Sequence, residues 1–285
     1  MTDRVWITDV AARDGLQNES AHVPTQAKVD LINALANAGV PEVEATAFVS
    51  PKWIPQLADA AEVMAGIERV EGVVYSALVP NVQGLERAIE AGVDKVSVFT
   101  AASEAFTQRN TNATIAETLE RFAGVFARCA TESLPIRAYV STVVACPHAG
   151  SIKPAAVVEV VEQLLELGPC EIDLGDTIGA AQPDDIEALL EAVGRVVPVD
   201  SLVLHLHDST GTAIACAQRA LDLGVRRFDA SCGGLGGCPY APGAPGNLST
   251  STLLELCSRT GYDTGIDATA MADAAQAIRL KLSPA

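Results

Sequence analysis

The chain has 285 residues, enough for one large α/β domain of the ~250-residue class or for two smaller domains. Hydrophobic residues make up 49% and charged residues 19%, which supplies a sizeable core and excludes a disordered chain. With 19 Lys and Arg against 36 Asp and Glu, the net charge of −17 repels nucleic acid and anionic membranes, so neither is expected as a partner.

Along the chain, short β-rich runs alternate with amphipathic helical stretches. Strands are expected at Val5–Val10, Val43–Thr46, Val73–Leu78, Lys95–Phe99, Ile136–Ser141, Glu171–Asp176, Ser201–His205 and Arg227–Ala230. Helical patterns lie between them, at about 25–39, 56–68, 81–91, 114–132, 154–167, 183–196, 213–223 and 251–260. Gly39, Gly92, Gly168 and Gly224 follow the last periodic residue of a helix, and Pro154 and Pro183 sit where a first turn tolerates proline. A further helix is expected at about 267–281. Eight β-then-α units at roughly 30-residue spacing, with strands read as nearly all apolar, predict a parallel sheet covered by helices. Closed on itself, that sheet is a (β/α)8 TIM barrel, a single catalytic domain over residues 1–285 with an extra C-terminal helix. The rival is a doubly wound open sheet, which would carry a Gly-rich turn after its first strand. This chain has Ala11-Ala12-Arg13-Asp14-Gly15 there, and no composition shift or linker marks a second domain.

Seven cysteines, at 129, 146, 170, 216, 232, 238 and 257, form no C-x-x-C pair. An odd number without that spacing argues against a zinc ribbon or a disulfide framework and for a reducing compartment. No apolar run approaches the ~20 residues of a membrane span. The chain opens on Met1-Thr2-Asp3-Arg4 and a strand-like run rather than a leader pattern, so a cytoplasmic location is expected.

In such barrels the chemistry sits at the C-terminal ends of the strands. The polar residues expected there are Asp9, Arg13 and Asp14 after the first strand, Glu44 in the second and Asp173 and Asp176 in the sixth. His205-Leu206-His207-Asp208 ends the seventh, and a glycine-rich run from Ser231 to Tyr240, followed by Asn247, ends the eighth. Two of only four histidines therefore stand together. At i and i+2 on an extended strand they share a face about 7 Å apart, within reach of one divalent ion, or they are a pair of core histidines satisfied by backbone carbonyls. Asp14 is either an anionic ligand to the same ion or an N-cap or a partner for Arg13. Asn247 could add a neutral oxygen or be a turn residue. Mixed His, Asp and Asn ligation suits Mg²⁺, Mn²⁺ or Co²⁺ better than a structural zinc site, which would want thiolates. Cys238, in the glycine-rich loop, is either an acid/base group or a small loop residue. Glu44 and Asp176 are carboxylates in a mostly apolar mouth, where burial needs a partner, and Arg13 suits either.

Several stretches carry a resemblance: Val10-Ala11-Ala12-Arg13-Asp14-Gly15-Leu16-Gln17-Asn18-Glu19, Glu44 to Trp53, Gly175-Asp176-Thr177-Ile178-Gly179, His205-Leu206-His207-Asp208, and Gly234 to Ala241 followed by Gly246-Asn247. Together and in this order they resemble the hydroxymethylglutaryl-CoA lyase family of metal-dependent barrel lyases. The resemblance implies that Asp14, His205, His207 and Asn247 bind a divalent metal, Mg²⁺ or Mn²⁺. It implies that Arg13 stabilises a developing enolate, that Cys238 is the loop acid/base, and that Glu44 and Asp176 complete the polar network. Gln108-Arg109-Asn110 is similar to the segment that meets CoA, with Arg109 and Asn110 as the contacting residues. The expected reaction is cleavage of 3-hydroxy-3-methylglutaryl-CoA to acetyl-CoA and acetoacetate, by a homodimer. The alternatives are a lyase for a different or longer 3-hydroxyacyl-CoA and, further off, a Claisen-condensing acyltransferase. Ala47 and the Thr142–His148 stretch depart from the family pattern near the expected acyl pocket.

Overall fold

The structure, a computed structural model, describes residues 4–17, 19, 21–236 and 246–282. Eight strands form the barrel: β1 (Trp6–Asp9), β2 (Glu42–Ala47), β3 (Val74–Leu78), β4 (Lys95–Ala101), β5 (Ile136–Ser141), β6 (Glu171–Asp176), β7 (Val203–Leu206) and β8 (Arg227–Ala230). Each strand pairs in parallel with its neighbours in the chain, and β1 closes on β8 from Trp6↔Arg227 to Asp9↔Ala230. The helices are α1 (Thr25–Asn37), α2 (Ala60–Gly66), α3 (Val82–Glu90), α4 (Glu104–Thr111), α5 (Ile115–Glu132), α6 (Pro154–Leu167), α7 (Pro183–Val193), α8 (Ala213–Asp222), α9 (Thr250–Thr260) and α10 (Ala268–Leu282). The last of these is the extra helix beyond the eight units, and it packs on α1. The fold is thus the expected (β/α)8 barrel.

Three of the strands have the expected bounds, and the others shift by one or two residues at an end. Two elements depart from the sequence expectation. α4 stands in what read as the loop after β4, started by the Ser103 side chain, which accepts from the Phe106 N–H. The Thr142–His148 stretch enters a small hairpin in which Ala145–Cys146 pairs antiparallel with Gly150–Ser151.

A larger correction concerns the strands themselves, which are not nearly all apolar. Ile7, Val43, Val96, Val98, Ala138, Val140, Ile172, Leu174, Leu204 and Phe228 are buried in the shell between sheet and helices. The alternate positions (Thr8, Glu42, Glu44, Lys95, Ser97, Arg137, Tyr139, Asp173 and Asp229) line the lumen. All but Asp173 bond to groups on non-adjacent strands; Asp173 lies 3.8 Å from Arg137 without a hydrogen bond among the described residues. Arg137 on β5 donates to Asp229 on β8 at 2.9 Å and to Thr8 on β1 at 3.0 Å. Unpaired charge inside a barrel would be costly, and these groups reduce that cost by pairing with one another. Among the described residues no helix is long and apolar enough to cross a membrane. Cys129, Cys146, Cys170, Cys216, Cys232 and Cys257 carry free thiols.

Candidate active site

β1 does not run directly into α1. It ends in Asp9, whose side chain accepts from the Ala11 N–H at 2.9 Å and from the Thr250 hydroxyl at 2.7 Å. After Val10, the five residues Ala11–Gly15 coil into a π-helical turn at the barrel mouth. A single wide turn of this kind places consecutive residues over the lumen, a geometry common at functional sites. Arg13 and Asp14 both sit on it. Arg13 Nε donates to Glu44 Oε2 at 2.5 Å and Nη1 to Asp14 Oδ1 at 2.5 Å, so two edges of the guanidinium are held by carboxylates. Glu44 also accepts from Ser97 Oγ and, at 3.2 Å, from the Tyr139 hydroxyl. The Arg13 guanidinium lies 5.3 Å from the Tyr139 ring centre.

His205 and His207 rise from the end of β7 with ring centres 5.2 Å apart. Asn247 reaches them because the chain after the glycine-rich loop returns along the same strand end. The Asp208 N–H donates to Gly246 O at 2.6 Å and the Leu248 N–H to Leu206 O at 2.9 Å, bracketing a bridge between His207 and Asn247. Its amide Nδ2 then donates to Asp14 Oδ2 at 2.8 Å and to Leu235 O at 3.1 Å. Gly236, at φ +103°, permits this approach, since a Cβ there would lie 2.5 Å from Asn247 Nδ2.

The electrostatics follow from burial. Burial opposes charge on Asp14, but the Arg13 guanidinium and the two histidines outweigh it and hold its carboxyl well below the usual carboxylate range. For His207, burial and then the neighbouring His205 push its pKa down to about 4, which leaves a neutral imidazole at physiological pH. His205 moves the other way: burial opposes its protonation, but a hydrogen bond and the charge of Asp229 outweigh burial. One donor atom each from Asp14, His205 and His207 lie within 4.8 Å of one another. His207 Nδ1 and Asn247 Oδ1 are buried and have no hydrogen-bond partner among the described residues. A carboxylate, two imidazoles and an amide oxygen, with two lone pairs unclaimed, form a donor set that fits a hard or borderline divalent cation.

The structure therefore brings together Arg13, Asp14, Glu44, His205, His207 and Asn247. Asp176 stays apart from Arg13: its carboxylate accepts from the Ala180 and Ala181 N–H groups at 3.1 and 2.9 Å, and burial raises its pKa. Of the two carboxylates that suited Arg13, it is Glu44 that takes it. Arg109 and Asn110 lie exposed on α4 at the same rim of the barrel, Arg109 against His148 at 3.3 Å and Asn110 donating to Phe106 O at 3.0 Å. Ala47 ends β2 at 1% exposure, packed with Leu57 and Leu78. Cys238 lies outside the described residues.

Residues that inspection of the strand ends passed over are Ser97, Tyr139 and Asp229. Tyr139 and Asp229 connect the two halves of the site, since the Tyr139 hydroxyl is 3.2 Å from Glu44 and 3.1 Å from Asp229, which in turn contacts His205. Their signal was present as period-two polar residues within single strands: Glu42/Glu44, Lys95/Ser97, Arg137/Tyr139, Glu171/Asp173 and Arg227/Asp229.

The chain is similar to known proteins along nearly its whole length. Residues 4–278 match the HMGL-like family. The hydroxymethylglutaryl-CoA lyase of Pseudomonas mevalonii is 48% identical over 281 residues, 99% of this chain and 93% of that protein. The mitochondrial hydroxymethylglutaryl-CoA lyase of Gallus gallus is 48% identical over 264 residues, 93% of this chain and 89% of that one. The crystal structure of the HMG-CoA lyase from Brucella melitensis superposes with a TM-score of 0.96 at 49% identity, covering 97% of this chain and 98% of the other.

Proposed function

The chain belongs to the HMGL-like family, and from that premise we propose that it is a hydroxymethylglutaryl-CoA lyase, cleaving 3-hydroxy-3-methylglutaryl-CoA to acetyl-CoA and acetoacetate. The observation that carries this reading is the convergence of Arg13 with Asp14, His205 and His207 at the C-terminal mouth of the barrel. We further propose that the chain acts as one catalytic domain, as a homodimer, in the cytoplasm.

Asp14, His205, His207 and Asn247 would hold the divalent cation, Mg²⁺ or Mn²⁺. When bound, such an ion acidifies a coordinated hydroxyl and fixes the orientation of the bond to be broken. The remaining chemistry belongs to side chains. A proton must leave the tertiary C3 hydroxyl, and Asp176, whose buried carboxyl has a raised pKa, is the proposed acceptor. As the C2–C3 bond breaks, negative charge grows on the thioester oxygen. Glu44 and Asp14 occupy Nε and Nη1 of Arg13, which leaves the Nη2 edge of its planar fork for that oxygen. A charge-assisted donor of this kind is worth roughly 3–4 kcal/mol in the transition state. Cys238 is the proposed acid that protonates the enolate carbon, and Arg109 and Asn110 are the proposed contacts to CoA.

The test is acetoacetate release from 3-hydroxy-3-methylglutaryl-CoA by EDTA-treated protein, with and without added Mg²⁺ or Mn²⁺. Turnover restored by the metal supports the reading. Metal binding without turnover of this substrate would move the assignment to another 3-hydroxyacyl-CoA.

A further inference from the structure

His205 and His207 occupy one strand end, yet their surroundings differ. Asp229 lies directly across from His205 in the register of β7 and β8, and its Oδ2 is 3.1 Å from His205 Nδ1. The carboxylate cannot swing away. Arg137 Nη1 holds Oδ1 at 2.9 Å, and the Tyr139 hydroxyl reaches Oδ2 at 3.1 Å. Asp229 is 1% exposed, so no solvent competes for it. The Tyr139 ring meets the His205 ring edge-on at 6.2 Å and closes another side of the imidazole. His207 has no equivalent support: its Nδ1 lacks a hydrogen-bond partner among the described residues.

We propose that Asp229 is a positioning residue that fixes His205 with its proton on Nδ1 and the Nε2 lone pair facing the cation, so that the two histidines are unequal ligands. A carboxylate accepting from one imidazole nitrogen selects the tautomer, orients the ring and makes the other nitrogen a better donor, an arrangement whose loss weakens metal binding about 10–100-fold. Arg137 and Tyr139 secure Asp229 in turn. The same Tyr139 hydroxyl also reaches Glu44, the partner of Arg13, so the metal-holding and enolate-facing halves of the mouth share one buried support.

The inference rests on the metal-lyase reading, and the test separates the two. Full-length, EDTA-treated wild type and Asp229→Asn are titrated with Mn²⁺ by calorimetry. In parallel, ¹⁵N-histidine NMR of the Mg²⁺-loaded wild type reads the tautomer, which is tractable with four histidines in the chain. The expected results are a 10–100-fold weaker Mn²⁺ affinity in Asp229→Asn and a proton on Nδ1 of His205. Equal Mn²⁺ affinity in the two proteins, or a proton on Nε2 of His205, overturns the positioning role while leaving the lyase reading intact. A wild type that binds neither Mn²⁺ nor Mg²⁺ removes the metal-lyase reading and this inference with it. Should Asp229→Asn fail to fold, the wild-type tautomer decides alone.

Discussion

The two ends of the barrel lumen are both charged but are organised differently. At the floor, the first residues of β2, β4, β6 and β8, with Arg137 from β5, form a closed set of ion pairs. Lys95 bridges Glu42 and Glu171, Arg137 contacts Glu42 and Glu171 at 3.2 Å each, and Arg227 reaches Glu171 at 3.1 Å. Cations are matched there by carboxylates within the protein. At the mouth the matching stops short: Arg13 is paired, but His207 Nδ1 and Asn247 Oδ1 keep neutral lone pairs buried and unclaimed by the described residues. Leaving such groups unpaired costs about 1–3 kcal/mol each. Glu42 Oε1 and both Asp173 oxygens lack a hydrogen-bond partner among the described residues too, but those carboxylates lie against the Lys95 and Arg137 cations, whereas His207 and Asn247 are neutral. The difference teaches where a charged lumen serves folding and where it serves a ligand.

Severing the floor should produce the largest effect. Arg137→Met keeps the volume but leaves Asp229, Glu42 and Glu171 short of their central cation. Removing one partner of a buried ion network costs about 3–5 kcal/mol, so urea unfolding should show a loss of that size. A loss below about 1 kcal/mol, the range of exposed pairs, would mean that the floor pairs contribute no more than surface ones.

At the mouth, the sharper measure is turnover. Arg13→Lys keeps the charge but loses the planar fork that serves Glu44 and Asp14 while leaving an edge for substrate. We expect kcat to fall at least about 100-fold, with unfolding free energy changed far less than in Arg137→Met. Near-normal turnover would take Arg13 out of the enolate-stabilising role and make it a structural pair like those of the floor.

The same contrast explains what could be read from the sequence. The strand and helix alternation was legible because each unit carries its own apolar period and its own stop, as at Gly39 and Gly168. So was the convergence of Arg13, Asp14, His205 and His207, which follows once strand ends are known to meet. The polar lumen was not legible from strand ends, because Glu42, Lys95, Arg137 and Asp229 lie within strands, and only closure turns their alternation into contacts. Nor could the sequence choose between Glu44 and Asp176 as the partner of Arg13. That choice depends on a π-helical turn and on the Ala180 and Ala181 N–H groups that take Asp176 instead. Helix α4 was missed because a polar, short segment has little apolar period to display.

The smallest expected effect lies outside both charged networks, at Asp9, the last residue of β1. It is 0% exposed, and burial raises its pKa to about 6 from the ordinary 3.8 despite hydrogen bonds from Ala11 and Thr250. The group is therefore easier to ionise in the unfolded chain. Its neutral form favours folding fully below about pH 4, and that contribution is lost as pH rises through about 6. A shift of this size corresponds to roughly 3 kcal/mol. Asp9→Asn removes the ionisation, although its amide can accept from the Ala11 N–H only by turning its own N–H toward Thr250, at a cost of about 1 kcal/mol. The variant should therefore be more stable than wild type by about 2 kcal/mol at pH 7. Taken as a difference between the two proteins, stability measured from pH 4 to 8 cancels the other titrating groups and should show the advantage of the variant growing up to about pH 6 and level above it. A difference that does not change with pH would mean that Asp9 is ionised in the fold throughout, held by its two donors as firmly as the floor carboxylates are held by their cations.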